Sequence, residues 1–495
     1  VSMTAFALEP PTAEEIEKYR SDGTLAKRIS FAETLGNHLP SAGFVRRSQY
    51  KLQKLSLQLK GYTASEMEDT LAPPPRWEGM PTTGTVKILA VLIDFNDYPS
   101  SNSESSISGK LFGSGSDGYP YESLHNYYDR ASYNQLNVVG NTLGWYTTPY
   151  PRSSVEQTRS GRENLIKEVL SHYDASGHDF TQYDNDGDGV IDYFLVVWTG
   201  PHTGWATFWW GYMTHFWDSS FTLDGKTLDV YSWQWEANPW PGTFYPKVAI
   251  HETGHALGLP DLYDYDGSVG PGGGVGGLDM MDANWGDHNC FSKFVLDWIA
   301  PTTINSGSQT VTLAASGSSQ DAVLVMPGIT SGDQFNEFFM VQNRYRVNND
   351  TTYPNDGLLI WHIDSRLDGS GYDYLYNNSY TDHKLVRLME ADGLEQIEMG
   401  YWADAGDYYT TGDTFGPATF PDSDRYDGTS TGITVQNIGA SGPTMTADIS
   451  IEGSGGSDEG LSFAPVPPCR IVDTRLAGGA LPPGGAVRCH HCSAH

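Results

Sequence analysis

The sequence predicts an α+β protein in which a region of mixed helices and strands precedes an all-β region. Two observations support this class. Buried strands and amphipathic helices alternate along the chain up to about residue 300, and only short strands separated by turn residues follow Pro301. The chain has 495 residues, more than the roughly 100–200 of one domain, so several units are expected.

The N-terminal part predicts short, charged helices followed by a stiff linker. Thr12 and Glu15 fit a capping box at the start of a helix, and the run Pro73–Pro75 marks a first boundary. We interpret residues 8–80 as a detachable propeptide. Residues 1–7 end in a small-x-small pattern, which fits either the remnant of a signal peptide or an ordinary ragged N-terminus.

Residues 81–300 form the predicted mixed region. The apolar runs Thr85–Asp97 and Val190–Trp198 predict buried strands. The segment Gln157–Tyr173 places its apolar residues on one face and predicts an amphipathic helix. The segment Gly200–Pro246 is unusually rich in tryptophan.

Residues 301–452 predict an all-β, sandwich-like region. Seven segments at hairpin-like intervals have strand patterns: QTVTLAA, DAVLVMPG, EFFMVQNRYRV, GLLIWHID, HKLVRLMEAD, ITVQNI and TMTADISI. We interpret residues 453–495 as a Gly/Ser linker followed by a truncated segment. Three of the four cysteines lie there, so no disulfide framework is predicted for the rest of the chain.

The charge of the chain restricts its partners. There are 29 basic and 61 acidic residues, which gives a net charge of −32. Phosphate backbones and anionic membrane faces repel such a chain, so nucleic acid is not an expected partner. The sequence contains no apolar run long enough for a membrane span. Acidic side chains suit hard cations such as calcium.

The stretch IHETGHALGLPDLYDYDG carries the main chemical signal. His251 and His255 lie four residues apart, so a helix presents both imidazoles to one ion. A catalytic zinc site uses three protein ligands and a water, and Glu252 is positioned to act as general base toward that water. After a helix end at Gly258, Asp261 can supply the third ligand.

Two positions of this site have alternatives. Asp264 is the alternative to Asp261 as third ligand. Downstream, GGLDMMDANWG resembles the methionine turn found beneath the metal in metzincin-like enzymes. We favour Met281 as the turn residue over Met280, although methionine also serves as simple core filler.

These motifs resemble the immune inhibitor A family of secreted bacterial metallopeptidases, over roughly residues 10–450. The resemblance extends to VKILAVLIDFNDYP, HNYYDRASYNQLNVVGNTLGWYTTP, DNDGDGVIDYFLVVWTG, FVLDWIAP and EFFMVQNRYR. It implies a secreted, extracellular precursor with a propeptide, a zincin-like catalytic domain over residues 81–300 and a β-rich companion domain. It also implies a zinc-dependent endopeptidase, which we expect to be a monomer acting on proteins or peptides.

The stretch DNDGDGVID predicts a second cation site. Asp184, Asp186 and Asp188 alternate as in a calcium loop, and the Val190 carbonyl follows at the next ligand position. Asp192 is our candidate to close the cage, because the glutamate of an EF-hand is missing. The alternative is a solvated acidic turn, but three close aspartates repel one another without a cation.

A competing function belongs to another class. The tryptophan-rich segment and the β-rich region also fit a non-catalytic secreted surface or carbohydrate-binding protein. Glu252 favours catalysis, because a binding module has no need of it. GTSTG places Ser430 in a nucleophile motif, but no helix is predicted after it, so we reject a serine hydrolase.

Overall fold

A computed structural model describes residues 11–71, 73–74, 79–114, 122–265, 273–326 and 336–452. The predictions for residues 1–7 and 453–495 lie outside the described residues. Among the residues that the structure describes, no helix is both long and apolar enough to cross a membrane.

Four helices form the N-terminal part: α1 Ala13–Ser21, α2 Leu25–Leu35, α3 Ala42–Leu59 and α4 Ala64–Thr70. The predicted capping box is confirmed, because the Thr12 hydroxyl accepts from the Glu15 N–H and the Glu15 carboxylate accepts from the Thr12 N–H. The Ser41 side chain caps α3 by accepting from the Phe44 N–H. These caps satisfy N–H groups that a helix leaves free in its first turn.

A five-stranded sheet forms the centre of the mixed region, in the order β2-β1-β3-β5-β4. Strands β1, β2, β3 and β5 are parallel, and β4 lies antiparallel at one edge. The predicted strands and helix are confirmed as β1, β3 and α7. The elements are β1 Gly84–Phe95, α5 Glu104–Phe112, α6 Leu124–Ala131, β2 Leu136–Thr148, α7 Arg159–Ala175, β3 Val190–Trp198, β4 Tyr212–His215, β5 Thr227–Trp235 and α8 Lys247–Ala256.

The two faces of this sheet are covered by different helices. Along β1, Ile88, Ala90 and Leu92 belong to one apolar core together with residues of α5, α6 and α8. Their neighbours in the sequence point to the opposite core, which contains the apolar face of α7. The near-continuous apolar pattern of β1 therefore follows from burial on both sides.

The tryptophan-rich segment belongs to the second core. Trp205, Trp209 and Trp210 are buried in this core, where Trp209 packs against Trp198 of β3 and Trp210 against Trp235 of β5. Trp217, in contrast, is 60% exposed. Most of the aromatic surface of this segment therefore stabilises the fold.

Two antiparallel-rich sheets form the β region, after two short helices. One sheet has the order β11-β10-β9-β8-β6 and the other β12-β13-β7, with an apolar core between them, so the sandwich-like arrangement is observed. Each of the seven predicted strand segments contains a strand. The elements are α9 Met280–Ala283, α10 Cys290–Val295, β6 Thr302–Ile304, β7 Gly307–Ala314, β8 Val323–Val325, β9 Glu337–Arg344, β10 Gly357–Asp364, β11 Val386–Leu388, β12 Ile433–Gln436 and β13 Thr444–Ile451.

The combination of helices, a mixed sheet and two further sheets agrees with the predicted α+β class. The described residues group into one compact unit. The boundaries that the sequence suggests near residues 80 and 300 remain predictions.

Candidate metal centre

Three buried side chains converge at the end of α8. The Nε2 atoms of His251 and His255 lie 3.1 Å apart, and Asp261 Oδ1 lies 2.9 Å from the first and 3.4 Å from the second. The three candidate ligand atoms fall within 4.8 Å of one another. The structure thus brings together the three residues that the sequence predicts as ligands.

The remaining imidazole nitrogens are held by backbone carbonyls. His251 Nδ1 lies 3.0 Å from the Met280 carbonyl oxygen, and His255 Nδ1 lies 2.8 Å from the Leu259 carbonyl oxygen. A carbonyl accepts only, so each Nδ1 carries a proton, and each Nε2 faces Asp261 Oδ1. Burial lowers the pKa of His251, which favours the neutral form that a metal requires.

The second oxygen of Asp261 has its own partner. Asp261 Oδ2 accepts a hydrogen bond of 2.6 Å from the Tyr265 hydroxyl. Burial raises the pKa of Asp261, but the neighbouring histidines outweigh it and hold the pKa well below its usual value. Asp261 is therefore an anion with one oxygen fixed and the other facing the histidines.

The alternative third ligand lies elsewhere. Asp264 is buried, and its Oδ2 accepts a hydrogen bond of 2.7 Å from the Thr381 hydroxyl. It is absent from the group formed by the two histidines and Asp261. The geometry favours Asp261.

The two methionines of the predicted turn have different roles. Met280 provides the carbonyl that holds His251, whereas the Met281 sulfur packs against Gly254, between the two histidines on α8. The Met281 carbonyl also accepts from the Leu262 N–H at 2.9 Å, which ties the turn to the segment carrying Asp261. This placement favours Met281 as the turn residue.

Glu252 is fully buried beside the cluster, and neither of its carboxylate oxygens makes a hydrogen bond to a residue that the structure describes. Burial, and next the charge of Asp261, raise its pKa well above the usual value; the nearby Met213 N–H opposes this only in part. An unsatisfied buried carboxyl group is costly, so it is typical of a functional position.

The N-terminal segment covers the cluster. The Asn37 carbonyl accepts from the Asp261 N–H at 2.7 Å, and the Ser41 N–H donates to the Gly258 carbonyl at 3.0 Å. A cavity of about 470 Å³ lies alongside, lined by this segment, by β4 and by the end of α8. Sequence reasoning missed this contact, since nothing in the pattern around Asn37 indicates a partner more than 200 residues away.

The predicted calcium loop brings three of its five candidates together. Oxygens of Asp184, Asp186 and Asp188 lie within 4.8 Å of one another. Asp184 accepts from three backbone N–H groups of its own loop, and Lys226 Nζ lies 2.7 Å from its Oδ2. Asp186 and Asp188 are exposed, so the loop also fits the alternative of a solvated acidic turn.

The other two candidates are placed differently. The Val190 N–H donates to Asp188 Oδ1 at 2.9 Å, at the start of β3. Asp192 Oδ2 accepts from the Asn185 backbone and side chain, and Asp192 is not part of the group of three. Burial raises the pKa of Asp192 to about 7, and Asp186 and Asp188 add to this.

Sequence reasoning also missed Tyr265. Its hydroxyl group positions Asp261, yet tyrosine at this spacing belongs to no motif that we recognised. The prediction that Ser430 is not a nucleophile agrees with the structure, where a loop leads directly into β12.

No protein-family model matches the chain. The chain is similar to "Immune inhibitor A" of Bacillus thuringiensis subsp. alesti. The two sequences are 27% identical over 187 residues, which is 30% of this chain. The chain spans about a quarter of that relative, since the match covers 27% of the relative's length. The relative bears the name of the family that the sequence motifs resemble, and the similarity extends over a limited part of both chains.

Proposed function

We propose that this chain is a secreted, zinc-dependent endopeptidase that hydrolyses peptide bonds of extracellular proteins. One observation carries the proposal: Glu252 is buried without a hydrogen-bond partner among the described residues, directly beside the converging side chains of His251, His255 and Asp261. The partial similarity to immune inhibitor A supports the same class of activity.

The donor set fits zinc. Two neutral imidazole nitrogens and one carboxylate oxygen are ligands that zinc accepts, and three protein ligands leave a position open for water or substrate. When bound, zinc polarises a carbonyl group and lowers the pKa of water. The carbonyls of Met280 and Leu259 orient the two histidines for this role.

Glu252 supplies the proton transfer. Its carboxylate takes a proton from the attacking water and delivers it to the nitrogen of the leaving amine. The aspartate ligand adds negative charge to the site and raises the basicity of the water.

The remaining architecture fits the same proposal. The mixed sheet with an antiparallel edge strand and an adjoining helix α8 supports the proposal of a zincin-like domain over residues 81–300, and we propose residues 8–80 as the propeptide of a zymogen. Asp184, Asp186 and Asp188 would hold a structural calcium ion, with the Val190 carbonyl and Asp192 as further candidate ligands. We propose a monomer with protein or peptide substrates.

The competing carbohydrate-binding function depends on exposed aromatic side chains. In the tryptophan-rich segment Trp205, Trp209 and Trp210 are buried and Trp217 is exposed, so this segment gives that function less support than its composition suggests.

Casein hydrolysis tests the proposal. The purified chain is treated by limited proteolysis to remove the residues before about 80, and is assayed with and without a zinc chelator. Glu252→Gln serves as the matched variant, because it keeps the size of the side chain and removes the base. Loss of activity in both controls supports the proposal. Absence of activity in a processed sample with stoichiometric zinc contradicts it.

A further inference from the structure

The edge strand β4 has one free side next to the candidate active site. Met213 pairs with Ser232 of β5 in register, but β4 is the last strand of its sheet. An edge strand offers backbone N–H and C=O groups to any extended peptide that lies beside it.

The side chain of Asn37 fills this position at Met213. In the orientation that satisfies both of its polar atoms, the carboxamide donates to the Met213 carbonyl at 3.0 Å and accepts from the Met213 N–H at 3.3 Å. A carboxamide has the same donor and acceptor as a peptide group. Asn37 therefore imitates one peptide unit of an added strand, using its side chain.

The backbone of the same segment contacts the opposite wall. The Asn37 carbonyl accepts from the N–H of Asp261, and the Ser41 N–H donates to Gly258. Gly258 has a φ of +94°, and a Cβ at this position would collide with Ser41 Oγ. The segment thus bridges β4 and the turn carrying Asp261, and fills the space between them.

The helices on both sides of the segment are also fixed. In α2, Arg28 donates to the Trp205 carbonyl, and in α3, Arg47 and Lys51 form ion pairs with Asp297. These contacts hold Asn37 in register from both directions, so its position does not depend on its own hydrogen bonds alone.

We propose that Asn37 is an internal latch: its carboxamide imitates substrate backbone at Met213 and keeps the intact chain latent until the N-terminal segment is cleaved and released. The inference rests on the proposed function and specifies its regulation. A substrate peptide and Asn37 compete for the same N–H and C=O groups of β4. Cleavage of the chain after α4 would make the segment dissociable, and the competition would then favour substrate.

The test compares intact full-length Asn37→Ala with wild type, and uses Thr34→Ala as the matched control. Thr34 is exposed on α2. The hydrogen bond that the structure shows for its side chain goes to the Ser30 carbonyl of the same helix. We expect casein hydrolysis by the intact Asn37→Ala chain to exceed that of wild type by about tenfold, because two buried hydrogen bonds are lost. After limited proteolysis, all three proteins should reach equal activity.

Amide hydrogen exchange at residues 212–215 and 258–261 gives a second readout that needs no catalysis. Faster exchange in intact Asn37→Ala, with unchanged exchange in Thr34→Ala, supports the latch. Wild-type exchange and wild-type latency in Asn37→Ala overturn it. If processed chains are inactive but exchange still increases, the peptidase function fails while the latch contact stands. If Asn37→Ala does not fold, Asn37→Ser, whose side chain is too short to reach Met213, replaces it in both measurements.

Discussion

The sulfur atom of Met281 occupies the space in which a side chain at position 254 would lie. A Cβ built on Gly254 overlaps Met281 Sδ and lies 3.5 Å from the Tyr128 hydroxyl. Because Gly254 stands between His251 and His255 on α8, this contact fixes the height of the two imidazoles above the methionine turn. The glycine is required by close packing, and not by an unusual backbone conformation.

Gly254→Ala should therefore destabilise the protein, although the same change inside an exposed helix is stabilising by up to about 1 kcal/mol. Overpacking costs about 1–3 kcal/mol, so we expect a net loss in the free energy of unfolding by guanidinium. Met281→Ala should relieve the collision. A double variant no more stable than the sum of the two single effects would contradict this packing argument.

Tyr265→Phe should weaken metal binding about tenfold, since partners that orient a metal ligand typically contribute this much. Removal of the hydroxyl frees the second oxygen of Asp261 to rotate. The zinc dissociation constant, measured by competition with a chelator, checks the expectation. Tyr263→Phe is the graded control, because the Tyr263 hydroxyl bonds to the Tyr265 hydroxyl at 3.3 Å and to the Trp205 indole at 3.5 Å, and makes no hydrogen bond to Asp261 that the structure shows. An equal loss in both variants would argue against positioning.

Asp186→Asn should abolish calcium-dependent thermal stabilisation. In the proposed site calcium would offset the repulsion among Asp184, Asp186 and Asp188, so adding it to metal-free wild type should raise the melting temperature. Thermal unfolding with calcium or with a chelator measures the difference. Asp174→Asn, an exposed change on α7, should keep the full response. A wild type that shows no calcium response would contradict a cation site in this loop.

Asp282 should make stability depend on pH. Burial raises its pKa from 3.8 to about 8, and its Oδ2 accepts from the N–H groups of Val275 and Gly277. Between pH 3.8 and about pH 8, the folded state therefore binds more protons at Asp282 than the unfolded state does. The contribution to stability is therefore complete below about pH 4 and is lost as the pH rises to about 8, by at most about 1.4 kcal/mol per pH unit.

Asp282→Asn should flatten this part of the stability profile, because the amide keeps the acceptor and cannot ionise. Chemical unfolding from pH 4 to pH 8 measures the slope. Asp69→Asn, exposed on α4, is the control and should retain the wild-type slope. An unchanged slope in Asp282→Asn would assign the pH dependence to other groups.

The sequence was sufficient for most local structure. The strands β3, β10 and β13 begin and end at the predicted residues, because burial on one or both faces imposes a pattern on the strand itself. The capping box at Thr12 and the helix end at Gly258 were predictable for a similar reason: each depends on groups only a few residues apart.

By itself, the sequence predicted the two histidine ligands and the base, because helical spacing places His251 and His255 on one face, and it left the third ligand open between Asp261 and Asp264. Only the tertiary structure decided that Asp264 bonds to Thr381, that Tyr265 holds Asp261, and that Asn37 occupies the edge of β4. Two of these contacts join segments that meet only when the chain folds, and the contact of Tyr265 depends on the direction of side chains within a turn. The spacing of residues along the chain encodes neither the meeting of distant segments nor the direction of a side chain.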